Sequence, residues 1–265
     1  MKRMFSFALF LGFSTLIYGQ NEKKADEAFE NGVNLLSGGG REFKQAIKYF
    51  SEAIKNNPKH LKAYTERASA YFELGDVNLA VNDISKAISL DKKNAFLYGQ
   101  RGFYKHRLKS FQEAILDYNT AIKLDPKHAW YYSSRGFSYL SLNNHQQGLV
   151  DGEKAIKIDP NMASGYNCRG WAYHKLNNHQ KALLDLDKAI ELEPKIGVFY
   201  SNRASIYSFG FKKYTQAIDD LSKAIELNPY DIDAYQNRAN IYKITGKLDK
   251  SMEDFNKIKE LTMKK

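Results

Sequence analysis

A chain of 265 residues with 43% hydrophobic and 26% charged residues holds enough apolar side chain for a continuous core, which excludes wholesale disorder. Its one cysteine, Cys168, excludes an internal disulfide framework. The formal charge of +10 favours acidic partners in general, yet it is spread over Lys-rich faces, with no like-charge run long enough for a dedicated basic tail.

Lys2 and Arg3 precede an apolar run from Met4 to Tyr18, and Gly19 gives way to a polar stretch. A basic start, a short apolar core and a small residue at the break predict a secretory signal peptide over residues 1–19, with residues 20–24 as a short linker. The rival is an uncleaved membrane anchor, but a run of 15 residues containing Ser6, Ser14 and Thr15 falls short of the ~20 that a spanning helix needs. Without disulfides or any Asn-x-Ser/Thr sequon, export points to a bacterial periplasm or cell exterior. Loss of Lys2 and Arg3 leaves 38 basic against 30 acidic residues.

Beyond the linker the chain repeats itself. The five prolines, Pro58, Pro126, Pro160, Pro194 and Pro229, all fall at one phase of a 34-residue period, and Lys92 occupies that phase where a proline is missing. Numbering positions from Ala163, full copies begin at Leu61, Ala95, Ala129, Ala163, Gly197 and Ile232, after a longer first copy from Ala25. The predicted units are 25–60, 61–94, 95–128, 129–162, 163–196, 197–231 and 232–265. Each reads as two short helices around a polar turn. The first copy carries an inserted GGGR at 38–41, and the copy at Gly197 one extra residue within 209–213; both insertions are expected at turns.

Within each copy, position 4 is tyrosine (Tyr64, Tyr98, Tyr132, Tyr166, Tyr200, Tyr235) and position 8 is Gly or Ala. Position 11 is again tyrosine, with Lys105 the exception. Spacings of three, four and seven put these on one helical face, and they are expected to build the core, a small residue admitting the partner helix between two rings. Position 27 is alanine throughout, and the later proline stops the second helix. Gly148 and Gly152 lie inside one second helix at ~1 kcal/mol each relative to alanine, which predicts a soft fourth unit. The last helix, with Ser251, Glu253, Asn256, Lys257 and Lys259 turned outward, is expected to shield the end of the array.

This pattern resembles the tetratricopeptide repeat, a 34-residue helix–turn–helix unit with an aromatic, a Gly/Ala, a Tyr, an Ala and a Pro in this order. Tyrosine at position 4, where tryptophan is frequent in the family, and Lys92 for proline are departures. The resemblance implies an all-α, right-handed solenoid of about seven units. It also implies an inner surface lined by positions 2, 5, 9 and 12 of the first helices. The candidates for a peptide groove there are Phe96, Phe103, His106, Trp130, Phe137, Asn167, Trp171 and His174. Two accounts of these rings stand: packing against the neighbouring first helix, or anchoring a partner. The family's carboxylate clamp for acidic C-termini needs cations that are missing here. Asn202 and Asn237 both occupy position 6, but only Asn202 fits an asparagine of the clamp; Asn167 and Trp171 stand where it needs lysine and asparagine, and Asp233 and Asn237 where it needs lysine and arginine.

A charged pair recurs as well. Arg67, Arg101, Arg135, Arg169, Arg203 and Arg238 are followed 16 residues later, or 17 across the insertion, by Asp83, Asp117, Asp151, Asp185, Asp220 and Asp254. That distance carries the chain up one helix and partly down the next, so each pair can meet as a rung of a structural ladder; a row facing a ligand is the alternative. The histidines pair by phase as His60 with His128, His106 with His174, and His145 with His179, in different units, which argues against shared metal ligation. No nucleophile–base set, phosphate loop, cofactor motif or basic stripe is present, which argues against an enzyme, a small-molecule substrate and nucleic acid. The reading is an exported repeat scaffold that binds a protein or peptide through its groove, without cofactor. The alternative is a structural component of an envelope or secretion complex acting through its outer faces.

Overall fold

The computed structural model describes the backbone of residues 2–37 and 42–263 and the side chains of residues 19–37 and 42–263. The apolar run Met4–Tyr18 and the insertion Gly38–Arg41 lie outside the described side chains. The described chain is helical throughout and falls into two compact units, residues 1–125 and 126–265. Among the described residues no helix is long and apolar enough to cross a membrane.

The first unit contains α1 (Lys2–Ser37), α2 (Phe43–Asn56), α3 (Leu61–Glu73), α4 (Val77–Leu90), α5 (Ala95–Arg107) and α6 (Phe111–Leu124). The second contains α7 (Ala129–Ser141), α8 (His145–Ile158), α9 (Ala163–Lys175), α10 (His179–Leu192), α11 (Gly197–Ser205) with a π-helical turn Ile206–Gly210, α12 (Tyr214–Leu227), α13 (Ile232–Ile244) and α14 (Leu248–Met263). Successive helices pack in pairs, odd on even.

The turn within each pair has one mechanism. Gly75, Lys109, Asn143, Asn177, Lys212 and Gly246 all take a positive φ, between 54° and 87°, at the same place in six copies. A left-handed residue lets the next amide reach back over the helix end, as Asp76 N–H does to Tyr71 C=O (2.9 Å) and Asn178 N–H to Tyr173 C=O (2.8 Å). Glycine takes this conformation freely and asparagine tolerates it. This explains the repeated Asn-Asn-His-Gln turns. The joint between copies is closed by the position-4 tyrosine, whose hydroxyl donates to the carbonyl of Pro58 from Tyr64 (3.4 Å), Pro126 from Tyr132 (3.2 Å) and Pro194 from Tyr200 (3.0 Å). Tyr98 makes the same bond to Lys92 C=O (3.3 Å), so what is used is the carbonyl, and the missing proline is tolerated.

The apolar centre is built from small residues against branched ones: Ala68, Ala80 and Ala87 with Ile84 in the first unit, and Ala204, Ala217 and Ala224 with Leu221 in the second. The expectation that the tyrosines build the core holds in part: Tyr64, Tyr132, Tyr235 and Tyr242 are buried, whereas Tyr71, Tyr139, Tyr166 and Tyr173 are half-buried, the first three beside an arginine and Tyr173 beside Lys181. The last helix exposes Glu253, Asn256 and Lys259 as expected, but Ser251 is buried and donates to Ala239 C=O (2.9 Å), and Leu248, Met252 and Phe255 are exposed as well.

The two glycines of α8 are explained by contact distance. A Cβ on Gly152 would lie 2.8 Å from the backbone nitrogen of Arg169, and one on Gly148 would lie 2.6 Å from Leu140 Cγ. Glycine is what allows α9 to approach, and the expectation of a soft link is replaced by one of close packing. Gly152→Ala should therefore lower the melting temperature, with overpacking of about 1–3 kcal/mol outweighing the ~1 kcal/mol gain in helix propensity. A raised melting temperature in calorimetry would contradict this.

Candidate functional site

The recurring arginine stands at the centre of each of the six helix pairs from α3 to α14. Its Nε and Nη2 donate to both carboxylate oxygens of the aspartate on the following helix in all six copies. For Arg67 and Asp83 the distances are 2.7 and 2.8 Å, and for Arg169 and Asp185 they are 2.8 and 2.7 Å. The same fork joins Arg101 to Asp117, Arg135 to Asp151, Arg203 to Asp220 and Arg238 to Asp254. The six aspartates are buried. The guanidinium sits over the rings at positions 4 and 11, as Arg67 does over Tyr64 and Tyr71, both at 5.8 Å. Where position 11 is Lys105 instead, its Nζ reaches Asp117 at 3.0 Å, replacing a ring by a second cation on the same carboxylate. Arg67, Arg101 and Arg238 also donate backward to Ser51, Ser85 and Ser222 on the preceding second helix, and Arg203 to Asp187. With both carboxylate oxygens committed to arginine, the pairs join helices rather than present charge to a ligand.

Replacing Arg169 by Leu strands a buried carboxylate. Removal of one partner of such a pair costs about 3–5 kcal/mol; because a quarter of the Arg169 side chain is exposed, the low end is expected. A chemical denaturation midpoint unchanged from wild type would refute this role.

The candidate groove residues separate into three groups. Phe96 on α5 is 52% exposed. Phe103, His106, Trp130, Phe137, Trp171 and His174 are half-buried, each with a surface still open. In the first unit Phe103 packs on Phe72 (ring centroids 5.3 Å apart) and His106 meets Phe111 edge-on at 5.0 Å. In the second, Phe137 and Trp171 cover a cluster of Leu140, Cys168 and Ala172. The two accounts of these rings are therefore not exclusive: one side packs, the other stays accessible. Asn167 is the exception. It is only 4% exposed and its Oδ1 accepts from Asn202 Nδ2 at 2.7 Å, so it ties two first helices together and is withdrawn from any ligand. Cys168 is fully buried with its thiol directed at Gly148 C=O (3.6 Å), and burial pushes its ionisation far above the usual thiol range.

Phase analysis pairs His174 with His106 and His179 with His145; the structure instead joins His174 to His179 across one turn, Nδ1 to Nδ1 at 3.1 Å. The signal available in sequence was their spacing of five across Leu176–Asn178. Trp171 stacks on His174 at 5.0 Å with Lys175 above its own face at 4.8 Å, and Phe211 meets His179 edge-on. One Nδ1 must donate and the other accept, so this contact excludes two protonated rings. Burial first, then His179, then Lys175 lower the His174 pKa from 6.5 to about 4. A base with a folded pKa below its unfolded one contributes stability that is complete above pH ~6.5 and declines as pH falls toward 4. Wild type should lose melting temperature over that window more steeply than His174→Gln, and NMR should find His174 still neutral at pH 5.5.

Repeated helix pairs, six of them joined by the same ion-pair fork, define a helical repeat protein of the binding-scaffold class. Tetratricopeptide repeat patterns match residues 34–95, 163–196, 198–231 and 221–253, and a related TPR repeat pattern matches 105–143. The chain belongs to the tetratricopeptide repeat family. Among curated proteins it is similar to Hsp70-Hsp90 organizing protein 1 of Glycine max, 41% identical over 69 residues, 26% of this chain. It is also similar to Hsp70-Hsp90 organizing protein 3 of Arabidopsis thaliana, 34% identical over 85 residues, 32% of this chain. These matches span 12% and 15% of the relatives' lengths. A solved tetratricopeptide repeat protein from Parabacteroides merdae has the same fold, with a TM-score of 0.75 at 19% identity over 90% of this chain and 93% of that one.

Proposed function

We propose that the protein is an exported scaffold that holds an extended peptide or a helix against its first-helix faces, with no catalytic step. The observation that carries this is the presence of aromatic rings on those faces in each unit taken by itself: Phe96 and Phe103 in the first unit, and Trp130, Phe137 and Trp171 in the second. Each keeps apolar surface in water while the ladder and the small-residue core already account for stability. Anchoring rings in a preformed groove and a polar surround are what helix or strand capture requires. The relatives are named for organising Hsp70 and Hsp90. Here the cations of a chaperone-tail clamp are absent, and one of its asparagines is paired with Asn167, which favours a different ligand.

Export rests on the residues 1–19 pattern. Intact-mass measurement of the protein from its native cells should give a chain beginning at Gln20; a chain retaining the apolar run would make it membrane-anchored.

A second reading has its own support. Val150 and Leu184 occupy one position of two consecutive second helices in the second unit and are 46% and 63% exposed. This apolar pair would suit an assembly contact away from the first-helix faces. Phe137→Ala with Trp171→Ala should reduce crosslinking to the native partner at least tenfold with helicity unchanged, while Val150→Lys with Leu184→Lys should not. The reverse pattern would establish the outer-face reading.

A further inference from the structure

The copy that begins at Gly197 has one residue more than its neighbours. Sequence places the extra residue in the turn, but the structure absorbs it inside the first helix, as the π-helical turn Ile206–Gly210. Such turns recur at functional sites because they shift side chains by one position without breaking the helix. Here the shift puts Phe209 into solvent at 79% exposure and seats Gly210 against the ring of His179. It also leaves a cavity of ≈ 220 Å³ between this helix end and α13.

The cavity is chemically divided. Its apolar side is made by Ala204, Leu221, Ile241 and Ile244, with Phe209 as one wall. Asn237 and Asn240, three residues apart on α13, supply amides, and Ser205 and Ser208 hydroxyls lie opposite. Asn240 Oδ1 accepts from Gln236 Nε2 at 3.3 Å, which turns its amide nitrogen to donor duty. Lys212 is the one charged residue of the lining, held at φ 54°, where a residue other than glycine is strained. Lys213 follows it.

Size and charge select the occupant. A cavity of ~150 Å³ already accepts benzene, and sites for whole small molecules begin near ~300 Å³. The space therefore suits one aromatic or branched side chain. Lysine beside it, with no acid in the lining, suits a carboxylate next to that side chain, and the asparagine amides suit peptide backbone. We infer that the pocket behind the π-helical turn receives a single large apolar side chain of an acidic peptide segment. This rests on the peptide-scaffold reading above and extends it to the sixth and seventh copies, where no groove aromatic was expected.

The test uses the full mature chain and three synthetic peptides: one phenylalanine flanked by aspartates, the same with alanine, and the same with lysine flanks. The phenylalanine–aspartate peptide should shift the amide signals of Ser205, Asn237, Asn240 and Ile244. Its affinity should exceed that of either control at least tenfold. Lys212→Glu and Phe209→Ala, both at exposed positions, should each weaken it severalfold with unchanged circular dichroism. Equal affinities for the three peptides, or shifts confined to other helices, would overturn the inference. So would concentration-dependent dimerisation lost in Phe209→Ala, which would make a second copy the occupant. If the pocket fails while Phe137→Ala with Trp171→Ala still abolishes partner crosslinking, only this inference falls; if both fail, the scaffold reading falls with it.

Discussion

One interaction sets the geometry of the six helix pairs from α3 to α14: a guanidinium beside a tyrosine face and forked onto a buried carboxylate of the next helix. A bidentate contact fixes distance and angle together, so the second helix of each pair can return along the first in one register only. The extra bond from Arg67, Arg101 and Arg238 to a serine on the preceding helix extends that control to the joint between neighbouring copies. Burial is costly for such groups. At Asp151 desolvation outweighs the bonds from Arg135 and raises the carboxyl pKa. The ladder therefore contributes specificity of packing more than net stability, and the alanine and leucine contacts around it provide the apolar burial.

With geometry assigned to the ladder and to the tyrosine–carbonyl joint, other positions are released from structural duty. Small residues at closest approach, such as Gly152 against the Arg169 backbone, let the helices pack without rings between them. Large aromatics on the first helices then need only part of their surface for packing. That division is why a repeat protein can vary its binding face copy by copy while the stacking rule stays constant.

The turns show how much irregularity the rule tolerates. Four non-glycine residues accept the left-handed turn position, and a whole extra residue is taken up as a π-helical turn without displacing α12 from its partner arginine: the fork from Arg203 to Asp220 is as short as the others. An irregularity next to an intact rung changes local surface and leaves the framework alone.

The period, the helix pairs and the identity of the charged partners were all legible in the sequence, because each follows from spacing along one chain: 34 residues per copy and 16 or 17 between arginine and aspartate. The resemblance to the tetratricopeptide repeat also named the faces expected to carry Phe137 and Trp171. What it could not supply is which atoms meet across a turn or between helices, since that depends on rotamers and on the left-handed turn residue. Only the tertiary structure joined His174 to His179, withdrew Asn167 into a bond with Asn202, laid the tyrosine rings beside guanidinium groups, and turned one surplus residue into a pocket. The sequence determined the array because its rules are periodic; the structure decided the exceptions because they depend on which atoms meet across a turn or between helices.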